Sequence, residues 1–212
     1  MANSTAPKFA HIDKDDERAL IEAIERWVEK EVAPVAMKYD HDDVWPAEVV
    51  EQMTEMGLFG ATISPEYGGL GLPARTYAEI VMRISSYWMA ITGIFNSHLM
   101  MAVAVERFGT EEQKSLWLPR FASGEVRGGL ALTEPNAGTD LQAIRTTAVR
   151  DGEDYVINGT KTWITNGIQG SCVALLVKTD SNADPRYKGM SLFIAPKTDG
   201  FTVGKKLKKM GY

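Results

Sequence analysis

The sequence predicts an α+β multidomain fold: an all-α N-terminal domain over residues 1–125, then an antiparallel β-barrel or β-sandwich domain over residues 126–212. Two observations predict it. Up to about Ser123 the apolar residues recur at helical spacing between recognisable caps, whereas after Gly124 the chain becomes short β-rich runs separated by turn clusters. At 212 residues and 44% hydrophobic content, the chain has the mass and apolar balance for one large domain or two modest ones.

The first helical segment runs from Asp15 to Tyr39. Leu20, Ile24, Trp27, Val28 and Val32 repeat on one face, acidic residues crowd the first turn where the helix dipole favours them, and Pro34 is expected to kink or restart the helix. A second helix begins at Pro46, a favoured first-turn residue, and stops at Gly57. Glycines and prolines make Ser64 to Pro73 a loop. Helices over Ala74–Gly93 and Phe95–Phe108 follow. Thr110 and Gln113 then form a capping box for a helix reaching about Ser123, with Pro119 inside it. The expected strands are Gly128–Leu132, Arg145–Arg150, Tyr155–Trp163, Ser171–Lys178, Ser191–Ala195 and Phe201–Lys205, with Asp151–Asp154 and Asn158-Gly159 as turns. The β domain is expected to be incomplete at its C-terminal end, because the chain stops just after a strand-like run and an open edge is a liability.

A formal net charge of -5 argues against nucleic acid held by bulk electrostatics, and Lys205, Lys206, Lys208 and Lys209 read as a solvated basic face. The single cysteine, Cys172, lies in an apolar run and reads as a buried structural thiol; it can form no intrachain disulfide. No run approaches the roughly 18 apolar residues of a membrane span, and the N-terminus has no apolar stretch of signal-peptide length, so a cytoplasmic protein with no membrane partner is expected. His11, His41 and His98 are scattered and give no metal-ligand spacing, so no metal is expected; His98 reads as a pocket, core or loop residue. No P-loop or nucleophile triad is present, and Gly68-Gly69-Leu70-Gly71 lacks the strand–turn–helix context of a dinucleotide fingerprint.

Two segments carry chemistry. Thr133-Glu-Pro-Asn-Ala-Gly-Thr-Asp140 follows a strand; its small residues let backbone amides approach a ligand, and its threonines offer hydroxyls. By itself it is an anion- or heterocycle-binding turn, or a polar loop, and Asp140 could cap a helical turn at Leu141–Ala143. In Asn158-Gly-Thr-Lys-Thr-Trp-Ile-Thr-Asn-Gly167, Trp163 is either a core tryptophan or a binding aromatic beside the Thr165 hydroxyl at a strand end.

Taken together, Ala131-Leu-Thr-Glu-Pro-Asn-Ala-Gly-Thr-Asp-Leu-Gln-Ala143 and Asn158–Gly167 resemble the acyl-CoA dehydrogenase family. Pro65-Glu-Tyr-Gly-Gly-Leu-Gly71, Phe108-Gly-Thr-Glu-Glu-Gln113 with Leu118-Pro119, and Lys208-Lys-Met-Gly211 add to the likeness, which runs from about Asp15. The resemblance implies FAD as cofactor and an acyl-CoA thioester as substrate, desaturated by proton loss at the α-carbon and hydride transfer to the flavin. It implies that Leu130, Leu132, Thr133, Gly138, Thr139, Trp163, Ile164 and Thr165 contact the flavin, and that Thr139, where many relatives carry serine, also faces the substrate. Glu134 and Asp140 are structural residues in that family, so no catalytic base is assigned within the chain; the base is expected from a C-terminal helical domain beyond residue 212. The same resemblance implies an electron-transferring flavoprotein as electron acceptor and a homotetramer for the full-length protein. The 212 residues alone are then expected to be inactive. The alternatives are a relative resembling acyl-CoA oxidases, and a truncated paralogue that binds acyl-CoA, a partner or nucleic acid without turnover.

Overall fold

The computed structural model describes residues 12–209, so His11 and Met210–Tyr212 lie outside it. The chain divides into two compact units, Met1–Val126 with Lys208–Tyr212, and Arg127–Leu207.

The first unit is helical. Helix α1 spans Lys14–Trp27, capped by the Asp13 carboxylate on the Asp15 N–H at 2.8 Å. It passes through a π-helical turn, Val28–Val32, into α2, Ala33–Asp42. Pro34 explains the wide turn: it has no N–H to give the carbonyl four residues back, and its ring crowds that carbonyl. Ile24, Val28 and Val32 are buried, in line with the expected apolar face. Helix α3 spans Ala47–Glu55 behind Pro46, and the chain turns at Gly57 with φ 72°. Helix α5 spans Glu111–Ala122 with its capping box formed: the Gln113 N–H donates to the Thr110 hydroxyl, and the Thr110 N–H to the Gln113 side chain.

Between them, α4 runs over Ala74–Phe108 and differs from the expected helix pair. Its backbone breaks at Trp88 (φ -154°, ψ 97°), not near Gly93, which is buried within the helix. Trp88 is held from α2: its indole N–H donates to Asp40 at 3.1 Å and its ring stacks on Tyr39 at 6.0 Å. A tertiary tether thus sets the break, whereas glycine only tolerates one. Helix α4 is also long and apolar enough to cross a membrane by length and composition, with an 18-residue window of mean hydropathy 1.4. No uninterrupted apolar run revealed this. Its apolar residues Ile80, Ile84, Ile91, Phe95 and Met101 are fully buried in the unit's own core. His98 is a core residue: it is fully buried, with Nε2 3.1 Å from the Phe121 carbonyl and its ring edge-on to Phe59 and Phe121.

The second unit is a five-stranded mixed sheet: β1 Leu130–Ala131, β2 Thr147–Asp151, β3 Asp154–Asn158, β4 Cys172–Lys178 and β5 Met190–Pro196. Strand β4 is central, and its apolar run is buried almost throughout, including Cys172. β5 pairs antiparallel with β4 along its whole length, and β2 and β3 form a hairpin. β1 and β2, however, both run parallel to β4: Ala131 lies opposite Leu175, and Thr147 opposite Lys178. The core is Ala131, Ala148, Val173, Leu175 and Val177, with Ile157, Ile164, Phe193 and Phe201 packed against it.

Several expected strand ends move, for identifiable reasons. The hairpin turn is Asp151–Asp154, where Gly152 has φ 63°, and not Asn158-Gly159, which leads out of β3. A Cβ on Gly159 would sit 2.2 Å from the Thr146 hydroxyl, so glycine there serves a close approach. The expected strand to Trp163 therefore ends at Asn158. Phe201–Lys205 is not a strand; Phe201 closes a turn with its N–H on the Thr198 carbonyl at 2.8 Å, and Thr202–Lys206 are exposed. Lys205, Lys206, Lys208 and Lys209 are all exposed.

Candidate functional site

Because β1 and β2 lie end to end along one edge of β4, residues 132–146 leave the sheet and rejoin it a short distance on. This excursion is the first motif. Its tip is polar and open: Pro135, Asn136, Gly138, Thr139 and Asp140 are exposed. Within it, Glu134 and Ala137 exchange two backbone hydrogen bonds, of 2.8 and 3.1 Å. The Asp140 carboxylate caps the turn Leu141–Ala143 by accepting the Gln142 N–H at 3.1 Å, and the Asn136 amide donates to the Ala143 carbonyl.

Glu134 closes the root of the loop. Its side chain is buried, and one oxygen accepts the Arg145 N–H at 2.6 Å while the other accepts the Thr146 N–H at 3.0 Å. These two amides are therefore not free for a ladder, which is why β2 starts at Thr147 and not at the expected Arg145. The second oxygen also accepts from the Lys161 ammonium at 2.8 Å, a pair with side chains only 3% and 8% exposed. Burial alone pushes the Glu134 carboxyl up, but the hydrogen bonds from Lys161 and the two amides outweigh it and hold the pKa at about 2. Burial also pulls the Lys161 ammonium below its usual range, against the attraction of Glu134. An ionised carboxylate with these donors fixed on it is a scaffold group.

Lys161 joins the two motifs. Its ammonium also donates to the Leu132 carbonyl at 3.0 Å, and the next residue, Thr162, donates its N–H to the Thr133 carbonyl at 2.9 Å. Farther along, the Asn166 amide donates to the Gly128 carbonyl at 2.7 Å, from a backbone φ of 62° that asparagine tolerates. Between these anchors Trp163 has φ 60° and is 62% exposed. It is not a core tryptophan and does not end a strand. A bulky aromatic in the left-handed region is a backbone outlier of a kind concentrated at ligand sites.

The structure thus brings Leu132 and Thr133 against the segment Thr162–Thr165. Gly138 is also close to Thr133, since a Cβ there would lie 4.0 Å from the threonine methyl. Leu130, Leu132, Thr133 and Thr165 are partly exposed, and Thr139 is exposed at the loop tip. The Ile164 side chain, partly buried, packs against the core. Lys161 was not singled out by the sequence; the signal available was an acid in one motif and a lysine in the other, each among small residues. A flat heterocycle with a polar edge fits this arrangement. Trp163 is exposed, and Thr133 and Thr165 are partly exposed, in two segments joined by the hydrogen bond from Thr162 to Thr133.

Comparison with known proteins agrees with the geometry. Residues 14–125 match the acyl-CoA dehydrogenase N-terminal domain, and residues 129–212 match the acyl-CoA dehydrogenase middle domain. The chain is 38% identical over 196 residues to human mitochondrial short-chain specific acyl-CoA dehydrogenase, covering 91% of this chain and 47% of that protein. It is 37% identical over 188 residues to (2S)-methylsuccinyl-CoA dehydrogenase of Cereibacter sphaeroides, covering 88% and 34%. Among solved structures, butyryl-CoA dehydrogenase from Megasphaera elsdenii superposes with a TM-score of 0.87 at 30% identity, covering 95% of this chain and 54% of that one. A Mycobacterium smegmatis glutaryl-CoA dehydrogenase in complex with FADH2 gives 0.79 at 30% identity, covering 93% and 50%. The chain therefore spans about half or less of the length of these curated relatives. It belongs to the acyl-CoA dehydrogenase family, over that family's N-terminal and middle domains.

Proposed function

We propose that the protein is an FAD-dependent acyl-CoA dehydrogenase, and that residues 130–139 and 163–165 form the part of its flavin site carried by the second unit. The observation that supports this most is the tether of Leu132–Glu134 to Lys161–Thr162, which sets an exposed Trp163 beside the polar loop. FADH2 in a related solved structure is consistent with it. When bound, FAD would supply the hydride acceptor for desaturation of the thioester.

On this reading each residue of the two segments has a role. Thr133 and the backbone of Leu130 and Leu132 would hold the polar side of the ring, Gly138 would allow close approach, and Trp163 with Thr165 would exclude water from it. Thr139, exposed at the loop tip, would offer its hydroxyl to the substrate. Neither acid of the motif serves as base: Glu134 is buried, ionised and fully engaged, and the Asp140 carboxylate is committed to a cap. The proposal extends to an electron-transferring flavoprotein as acceptor and a tetrameric whole protein.

The test is anaerobic mixing of the flavin-loaded protein with a panel of straight- and branched-chain acyl-CoA thioesters. Bleaching of the visible flavin band by at least one, with formation of the 2-enoyl product, is expected. A protein that binds no flavin, or a band that no thioester bleaches, overturns the proposal.

A further inference from the structure

We infer that the buried Glu134–Lys161 pair is the positioning device of the cofactor site, setting the spacing between the Thr133 loop and the Trp163–Thr165 segment; the inference rests on the flavin reading above. Lys161 touches both the Leu132 carbonyl, at 3.0 Å, and Glu134, at 2.8 Å. Glu134 in turn holds the far end of the loop through the Arg145 and Thr146 amides. One carboxylate and one ammonium thereby fix three chain segments: the loop's start, its return to β2, and the strand exit that leads to Trp163.

Stability gives no sufficient reason for this choice. Burying two charges costs several kcal/mol of hydration, and apolar replacements of similar volume are often as stable. What an ion pair adds is geometry: the carboxylate accepts from fixed directions, and the ammonium reaches two oxygens at once. Trp163 lies two residues beyond Lys161, at φ 60° and 62% exposed, so burial of its own ring does little to hold it there. Its position is inherited from the anchors at Lys161, Thr162 and Asn166. The pair acts on a flavin through those neighbours and is a positioning pair, not a catalytic one.

Flavin titration of the purified protein tests this with four variants: E134Q, K161M, K161R and the double variant E134Q/K161M. Each single loss leaves a buried charge unpaired and should lower the melting temperature. The double variant restores neutrality and should recover most of that loss. Its FAD dissociation constant should nevertheless stay about tenfold or more above the parent's, with a shifted visible flavin band. K161R, which keeps charge and reach, should bind flavin more tightly than K161M. A double variant that binds FAD within about twofold of the parent, with the parent's band position, overturns the inference and leaves the pair a stability element. So does a double variant that does not fold, or equal binding by K161R and K161M. Failure of the parent itself to bind FAD sinks the cofactor reading, and this inference with it.

Discussion

Trp163 has little packing to lose and a strained backbone to relieve. At φ 60° glycine is at ease where tryptophan is not, so W163G should change folding stability by no more than about 1 kcal/mol, in either direction. If the ring covers the flavin, the same variant loses cofactor affinity by about tenfold; a melting curve and a flavin titration separate the two effects. Gly159 is the reverse case. A Cβ placed 2.2 Å from the Thr146 hydroxyl must displace the residue whose amide Glu134 holds, so G159A should cost about 2 kcal/mol, read by thermal unfolding. Glu134 makes stability depend on pH. Its folded pKa of about 2 lies below the ordinary value of 4.5, so its contribution is complete above pH 4.5 and is lost as pH falls through 2. E134Q should flatten that acid limb, as measured by thermal melts between pH 5 and 2. The identities of Glu134, Gly159 and Trp163 were all visible in the sequence. Their environments were not, because the αL turn at Trp163 and the approach at Gly159 come from segments that meet only in the folded sheet.

At the scale of elements, local chemistry decided most helix ends and tertiary contacts decided most strand ends. The capping box at Thr110–Gln113, Pro46 before α3 and Gly57 after it act over three or four residues, and the sequence displayed each one. T110A should destabilise the first unit by about 1 kcal/mol while T110S retains most of it, since only the hydroxyl accepts the Gln113 N–H. The break in α4 escaped such reading because Asp40 and Tyr39, distant in sequence, hold Trp88. Strand limits escaped it because the ladder competes with side chains: Lys161 occupies the Leu132 carbonyl, and Glu134 takes the Arg145 and Thr146 amides. The mixed direction of the sheet escaped it for a different reason. Alternation of apolar residues gives strands and faces, but not which neighbour a strand joins or in which sense.

For the whole molecule, composition and periodicity change together near residue 125, and the contacts separate Arg127–Leu207 from Met1–Val126 with Lys208–Tyr212. The family was readable because two long motifs each had to keep many small and polar residues that no core requires. No periodicity marks Lys161, which ties the two motifs together. The exposed Trp163 has one more consequence. The tryptophans at 27, 45, 88 and 117 all belong to the first unit, so Trp163 is the sole indole of the second. With the other four replaced by phenylalanine, its ultraviolet emission becomes a private reporter of the loop: red-shifted in the free protein, as an indole 62% open to water should be, and quenched when a flavin settles against it. On the proposed flavin reading, the protein carries its own optical gauge of cofactor occupancy, readable without turnover and without an added dye.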